Sequence, residues 1–240
     1  MEDDFEDRVK EAEKPVMSRS EQAYAAIQQM IITGELPAYE LISENDLTRR
    51  TGCGRTPVRE ALQRLSFEGF VDVLPRRGIM VTPADINRQL ELLETRRPLE
   101  ELMVTLGAGR ASPEQRERMR ELADELERAV GEQDRTRYLE INRAIHEVEA
   151  AAASNRFLQR QIAVIHSLSR RFWYSVISDT ESFAAAAHWH AQTLRAIASG
   201  DAEAARRCCH ELMDLLDNAS RDAIGRRGYA PRPSAQGHAD

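Results

Sequence analysis

One stretch, residues 55–65, constrains this chain most strongly, because it has the pattern of an amphipathic helix that begins with arginine. Four apolar residues recur at helical spacing and are predicted to face a core: Val58, Ala61, Leu62 and Leu65. Arg55, Arg59 and Arg64 lie off this stripe. Arginines in the first turns of a helix can bind guanine O6 and N7 together or clamp phosphates. A solvated, arginine-rich helix face is the alternative interpretation. The residues that flank this helix are therefore needed to choose between the two.

The residues before this stretch predict two further helices and a tight turn. The first helix is predicted over residues 18–33, with Gly34 at its end. Ser43 is a plausible N-cap for a second helix over residues 44–51. Gly52 and Gly54 then bracket a short turn into the arginine helix. Helix, glycine turn and helix together indicate a helix-turn-helix.

A β-hairpin is predicted directly after the arginine helix. Residues 70–74 and 79–81 alternate as strands do, and a turn at Pro75 joins them. The tip contains Arg76, Arg77 and Gly78, which bring two cations and a residue that allows close approach to a DNA backbone. An arginine turn by itself is more often only a solvated loop. After a helix-turn-helix, however, this hairpin favours a DNA-binding wing.

The distribution of charge matters more here than the net value of −7. Residues 1–17 contain seven acidic and three basic residues, and are predicted to form a disordered acidic tail. Residues 49–64 contain five arginines and one glutamate, which predicts a basic surface on an acidic protein. Such a surface alone would also be compatible with binding to phosphate, RNA or a membrane.

Residues 18–82 resemble the winged helix-turn-helix domain of GntR-type bacterial transcription regulators. The resemblance is carried by residues 31–37, 41–47, 54–62, 68–71 and 77–78. Two positions depart from the family pattern, because Asn45 replaces a common DNA-contacting arginine and Gly54 replaces a serine or threonine. With the basic cluster, the resemblance implies that the following residues contact DNA: Arg49, Arg55, Thr56, Pro57, Arg59, Arg77 and Gly78.

From Pro83 onward the pattern is helical, and it predicts an antiparallel bundle of about six helices. The predicted fold class is therefore mainly α, with an N-terminal winged helix-turn-helix and a small β-hairpin wing. We expect the bundle to occupy residues 83–224 and a disordered tail to occupy residues 225–240. The predicted helices cover residues 85–110, 113–131, 135–153, 155–177, 181–199 and 201–224.

Residues 84–222 resemble the FCD effector domain of the FadR subfamily of GntR regulators. The resemblance is carried by residues 93–100, 142–155, and 190 with 201–205. It implies a small carboxylate effector inside the bundle, often beside a divalent metal. It also assigns Arg96 to the ligand carboxylate, and an arginine can bind a carboxylate through two hydrogen bonds.

The same resemblance implies a metal site at Asn142, His146 and His190. Residues 142 and 146 share one helix face. Asn142 stands where the family has aspartate, and Leu212 aligns with the family's last histidine. Zinc, nickel or manganese would suit this set without being distinguished by it. In the alternative interpretation, His146 and His190 line a polar cavity without metal.

The other histidines and the aromatic residues stand outside this predicted set. His210 is predicted to face water and His188 to point away from His190, whereas His166 is not assigned a position. Aromatic residues at 172–174 and Trp189 are equally compatible with an effector pocket, a core or a dimer interface.

These features predict a cytoplasmic, homodimeric transcription regulator, with repression as the commoner mode in the family it resembles. Two wings would contact a palindromic operator, and effector binding would change the relative placement of the two DNA-binding heads. We expect no membrane span, no signal peptide and reduced cysteines. One alternative is a metal-dependent enzyme that uses His146 and His190, but the sequence lacks a nucleophile motif. The other alternative is a DNA-binding protein without a ligand.

Overall fold

The computed structural model describes residues 17–177 and 180–226, without the side chains of residues 180 and 224–226. The chain divides between Pro83 and Ala84 into two units, which are described separately. The predicted acidic tail lies outside the described residues except for Met17. The predicted C-terminal tail does so from residue 227 onward, because the last helix continues to Arg226.

Within the described residues, the first unit has three helices: α1 (Arg19–Ile32), α2 (Glu44–Thr51) and α3 (Arg55–Phe67). The Ser18 hydroxyl accepts from the Glu21 amide and the Glu21 carboxylate accepts from Ser18, which closes a capping box at the start of α1. Ser43 caps α2 in the same manner, accepting from the amide of Asp46. Apolar side chains from all three helices are buried together, among them Ile27, Leu47, Val58 and Leu65.

A small antiparallel sheet completes this unit. The predicted hairpin is formed by β2 (Val71–Leu74) and β3 (Gly78–Val81), which pair from Val71–Val81 to Leu74–Gly78. A third strand, β1 (Leu41–Ile42), pairs with the other edge of β3, so the strand order is β1-β3-β2. Residues 35–41 have the pattern of a plain connection, so this strand was not predicted from the sequence.

Gly78 has a structural function at the start of the central strand, β3. Its φ is +109°, and a Cβ atom at this position would lie 2.8 Å from the Ile42 carbonyl oxygen. A larger residue would therefore be strained and would also collide with β1. This explains the glycine at the end of the wing turn independently of any contact with DNA.

The second unit contains six helices within the described residues, which agrees with the prediction of a mainly α fold. They are α4 (Ile86–Arg110), α5 (Pro113–Gly131), α6 (Arg135–Ala152), α7 (Arg156–Val176), α8 (Thr180–Ser199) and α9 (Ala202–Arg226). Side chains of Asp85, Ser112, Asp134 and Asn155 cap the first four. Helix α8 packs against α5 and α9, and α9 also packs against α4. Among the described residues, no helix has the length and apolar character that crossing a bilayer requires.

The apolar pattern of the last helix predicts that Cys208, Leu215 and Ala219 face the core, but helix α9 is rotated relative to that prediction, and all three are only half-buried. Cys209, Leu216 and Ser220 are buried instead. His210 is not simply solvated, because it is half-buried and its Nε2 lies 3.0 Å from Glu101 of α4. The apolar pattern of α9 permits either orientation, and packing against α4 and α8 selects the observed one.

Arg116 of α5 joins the C-terminal ends of two other helices. Its guanidinium donates to the carbonyls of Ala108, near the end of α4, at 2.8 Å, and of Ile197, near the end of α8, at 2.9 Å. The carbonyls of Ala111 and Ala198 accept two further hydrogen bonds from it. The positive charge of Arg116 also interacts favourably with the negative C-terminal ends of both helix dipoles.

Candidate functional site

The predicted DNA-contacting residues of α3 lie on its solvent face. Arg55, Thr56 and Arg59 are exposed and Pro57 is half-buried, whereas Val58 is buried on the opposite face. The helix begins at Arg55 with Gly54 as its N-cap, so Pro57 occupies the third helical position and Gly54 provides no capping hydroxyl. The first turns therefore present two arginines and a hydroxyl to solvent, as a helix in the major groove would.

Acidic side chains of α2 form ion pairs with Arg59 of α3 and with two arginines of α2 itself. Arg59 Nε donates to Glu44 at 2.7 Å, across the turn of the helix-turn-helix. Asp46 accepts from Arg49 at 2.7 Å and from Arg50 at 3.1 Å. The basic cluster is thus partly neutralised by acids that lie outside the sequence window used to predict it.

The wing tip exposes Arg76 and Arg77. Arg76 has a φ of +62°, and Gly78 follows in the strained position described above. The turn therefore directs two cations outward from a rigid strand pair. It brings Arg77 and Gly78 to the wing tip, whereas Arg55 and Arg59 lie on the recognition helix.

The four predicted effector residues come together inside the second unit. Arg96 of α4, Asn142 and His146 of α6, and His190 of α8 are all buried and line one cavity. Asn142 Nδ2 lies 3.1 Å from His190 Nε2, and Arg96 Nη2 lies 3.4 Å from His146 Nε2. The cavity volume open to the centres of water molecules is about 30 Å³.

Four further buried residues complete this network, of which the sequence left His166 without an assigned position and did not indicate the other three. Arg96 Nε donates to Glu100 at 2.7 Å, and Glu100 also lies 2.8 Å from His166 Nε2. Ser169 Oγ accepts from Arg96 Nη1 at 3.0 Å and from Gln89 Nε2 at 3.1 Å. Glu100 follows Arg96 by four residues, which was a usable signal. His166 reaches the site only through the packing of α7, where its ring stacks on His146 at 3.7 Å between centroids.

Burial sets the protonation of these groups. Burial, with smaller contributions from His166 and Arg96, lowers the pKa of His146 well below the ordinary value, and burial together with the charge of Arg96 lowers the pKa of His190 to about 3. Burial also lowers the pKa of His166, although Glu100 opposes this shift. Burial raises the pKa of Glu100, but Arg96 and His166 lower it more, so that it falls below its ordinary value. At pH 7 the site therefore contains neutral imidazoles and one ionised Arg–Glu pair.

Two buried N–H donors in the cavity wall have no hydrogen-bond partner among the described residues. His146 Nδ1 is one of them, and Trp173 Nε1 is the other. Because His146 Nε2 faces the donating Arg96, neutral His146 carries its hydrogen on Nδ1. An unpaired buried donor costs free energy, so the wall of this cavity favours a ligand with acceptor atoms.

The donors fit a tightly held divalent ion poorly. Asn142, His146 and His190 are neutral, and the Arg96 guanidinium already lies next to His146. A second group, Glu100, His146 and His166, has ligand atoms within 4.8 Å of one another. Its only carboxylate is bound to Arg96 and His166. An ion at either position would meet the positive charge of Arg96 without an unpaired anion to balance it. Leu212 is buried in the apolar core and cannot ligate.

The aromatic residues divide between core and cavity. Trp173 lines the cavity with Tyr138, whereas Phe172 is buried in the apolar core. Trp189 is partly buried against the same core, and His188 is exposed beside it. Arg170 also lines the cavity, which adds a second guanidinium to its wall.

Family models match both units of the chain. The model described as "Bacterial regulatory proteins, gntR family" matches residues 19–81. The model described as "FCD domain" matches residues 91–215, more than half of the chain. The chain belongs to the gntR family. Its FCD domain contains the buried Arg96 site, and its gntR domain contains the exposed arginines of α3.

Similar curated proteins are named as transcriptional regulators. YdhC of Bacillus subtilis strain 168 is 29% identical over 149 residues, which cover 61% of this chain and 66% of that protein. Two further relatives are matched over 43% and 26% of their lengths, so the chain spans less than two thirds of these first relatives. YieP of Escherichia coli K12 is 28% identical over 209 residues, covering 79% of this chain and 90% of that protein.

A solved structure shares the fold of this gntR-family chain. Escherichia coli McbR/YncC superposes with a TM-score of 0.75 at 21% identity, covering 86% of this chain and 99% of that one. The similarity supports the assignment of a winged helix-turn-helix followed by a helical bundle. YdhC, YieP and McbR are all named as transcriptional regulators, which agrees with the bacterial regulatory family model that matches the first unit of this chain.

Proposed function

We propose that this protein is a transcription regulator that binds operator DNA through α3 and the wing, and whose affinity for DNA is modulated by a carboxylate effector bound at Arg96. It acts as a homodimer in the cytoplasm, where it has access to DNA, and represses its target genes. The observation that carries the effector proposal is the small cavity lined by Arg96 together with His146 and Trp173, each of which has a buried ring N–H without a partner among the described residues.

DNA binding is supported by the exposed first turns of α3. The side chains of Arg55 and Arg59 are exposed to solvent, and Arg59 forms an ion pair with Glu44 of α2. Two copies of this helix in a symmetric dimer would contact a palindrome whose half-sites are about one helical turn apart.

Selection from a random duplex library tests this proposal. We expect palindromic sites, and we expect Arg59→Ala to lose roughly tenfold or more in specific affinity, since one arginine–guanine pair contributes about 1–3 kcal/mol. Arg118→Ala, an exposed arginine of α5, is the matched control and should bind normally. Light scattering tests whether the protein is a dimer in solution. Unchanged specific binding by Arg59→Ala would remove this residue from the DNA-contacting surface.

Effector binding is tested with organic acids and with alcohols of the same size. We expect the acids, but not the alcohols, to raise the melting temperature of the protein and to change its affinity for operator DNA. The charge-balanced double variant Arg96→Gln with Glu100→Gln removes the anchor without leaving a buried carboxylate unpaired. It should fold and lose the response to acid. An equal response of this variant and of the wild type would contradict the role of Arg96.

A divalent metal at Asn142, His146 and His190 is the alternative to anchoring by Arg96 and hydrogen bonds alone. The neutral donors and the adjacent guanidinium favour anchoring without metal. Elemental analysis of the purified protein decides between them. We expect less than one zinc, nickel or manganese ion per chain after dialysis, whereas a stoichiometric ion would support the metal site.

A further inference from the structure

The cavity at Arg96 has space for only part of an organic acid. A volume of about 30 Å³ accommodates roughly two water-sized groups, since one such group needs about 10–15 Å³ on this measure. A carboxylate head group therefore fits beside Arg96, His146 and Trp173. The remainder of an effector must lie elsewhere unless the helices separate.

A second, larger pocket opens to solvent on the same unit. Its volume, on the same measure, is about 160 Å³. Exposed polar residues, Gln133 and Arg135, form part of its rim, whereas buried Tyr138 and Phe183 form part of its interior. The lining residues are Ala129, Val130, Gln133, Asp134, Arg135, Tyr138 and Phe183. This outer pocket has a polar mouth and an apolar interior.

Tyr138 belongs to the walls of both the outer pocket and the inner cavity. On α6, residues 134, 138, 142 and 146 recur every four positions, so one helix face runs from the outer pocket to His146. Tyr138 and His146 are eight residues apart, which corresponds to about 12 Å along a helix.

Helix α8 runs along the same path. Phe183 lines the outer pocket, and Ala186 and His190 line the inner cavity. Phe183 makes edge-to-face contacts with Tyr138 at 5.1 Å and with Trp173 at 5.6 Å between centroids. Three aromatic rings thus separate the two spaces, and displacement of the Tyr138 ring would join them.

We propose that the effector is an elongated monocarboxylate whose head group occupies the Arg96 cavity and whose apolar arm passes Tyr138 into the outer pocket. This inference rests on the proposed function and adds the chemical class of the ligand. Space for one head group argues for a single carboxylate at the inner end. The apolar interior of the outer pocket argues for an uncharged aliphatic or aromatic arm.

A series of acids tests the proposal on the full chain by calorimetry. Acetate, butyrate, hexanoate and octanoate share the head group and differ only in the arm. Affinity should increase by about fourfold for each methylene buried, the equivalent of about 0.8 kcal/mol. Octanol and octylamine lack the carboxylate and should bind at least tenfold more weakly than octanoate.

Two substitutions at one position locate the arm. Val130→Phe fills the outer pocket and should reduce octanoate affinity to that of short acids, without changing acetate affinity. Val130→Ala leaves the pocket open and should retain the dependence on chain length. Hydrogen exchange of the wild type gives a second measurement that needs no variant. Octanoate, but not acetate, should protect residues 129–138.

The outcomes separate the two proposals. Arg96-dependent binding of acetate and octanoate with equal affinity would overturn the elongated ligand and leave the effector proposal intact. Chain-length dependence that persists in a folded Val130→Phe variant would also overturn it, as would equal protection of residues 129–138 by both acids. Absence of binding by every acid would overturn both proposals.

Discussion

At the scale of single residues, the most consequential feature is the buried chain of contacts from Arg96 through Glu100 to His166. The two charged residues are each about 3% exposed, so their charges are stabilised by each other and by hydrogen bonds rather than by water. Removing one member of such a pair leaves an uncompensated buried charge, which costs about 3–5 kcal/mol. The pair therefore contributes to folding as well as to the proposed site.

The first prediction concerns this pair. Arg96→Gln and Glu100→Gln should each lower the free energy of unfolding by about 3 kcal/mol, because each leaves the partner's charge unpaired. The double variant should lose clearly less than the sum of the two. Urea denaturation of all four proteins measures the coupling. Strict additivity would show that the two charges are stabilised independently.

Sequence reasoning found only part of this site, for identifiable reasons. Arg96, Asn142, His146 and His190 were inferred from family resemblance, and they do share one cavity. Glu100 could have been found from its spacing to Arg96. His166 could not, because its position depends on the angle at which α7 packs, and no local pattern encodes that angle.

At the scale of elements, helix ends were the most predictable features because short polar side chains determine them locally. Ser43 caps α2 where the sequence indicated, and Ser18 and Ser112 cap α1 and α5 through the same kind of local hydrogen bond. Strand β1 was not predictable in this way. It has two residues and exists only because Leu41 and Ile42 pair with residues 79–80, far along the chain.

The second prediction concerns this strand pairing. Gly78→Ala places a Cβ atom 2.8 Å from the Ile42 carbonyl oxygen, in addition to the strain of a positive φ. Gly69→Ala has a φ of +84° but no atom within 4 Å, so it isolates the strain alone. We expect Gly69→Ala to cost about 1 kcal/mol and Gly78→Ala to cost more, up to about 3 kcal/mol. Thermal unfolding of the full chain compares them, and equal losses would rule out the collision as a separate cost.

At the scale of the whole molecule, the buried histidines link global stability to pH. The pKa of His190 falls from its ordinary 6.5 to about 3 on folding, so the unfolded chain binds more protons between these values. Stability contributed by His190, and likewise by His146 and His166, is lost as the pH falls below about 6.5. Glu149 acts in the opposite sense, because burial raises its pKa and the cost of its ionisation grows above pH 4.5. Three histidines outweigh one glutamate in this interval.

The third prediction follows from this linkage. Between pH 6.5 and pH 5, His190 alone should remove on the order of 2 kcal/mol from the free energy of unfolding. Urea denaturation with a chelator present, at pH 7 and pH 5, measures the loss. His190→Gln should reduce the difference between the two pH values, whereas His188→Gln, an exposed neighbour on α8, should leave it unchanged. A pH-independent wild type would contradict the neutral, buried state of His190.

Arg116 has a mechanical consequence for the effector response that we propose. It fastens the C-terminal ends of α4 and α8, and these helices carry Arg96 and His190. Because those ends are held together, we expect each helix to pivot about the guanidinium of Arg116. We expect a displacement that begins at the cavity to be largest toward the opposite ends of the two helices, and α4 begins at Ile86, just after the division between the two units at Pro83.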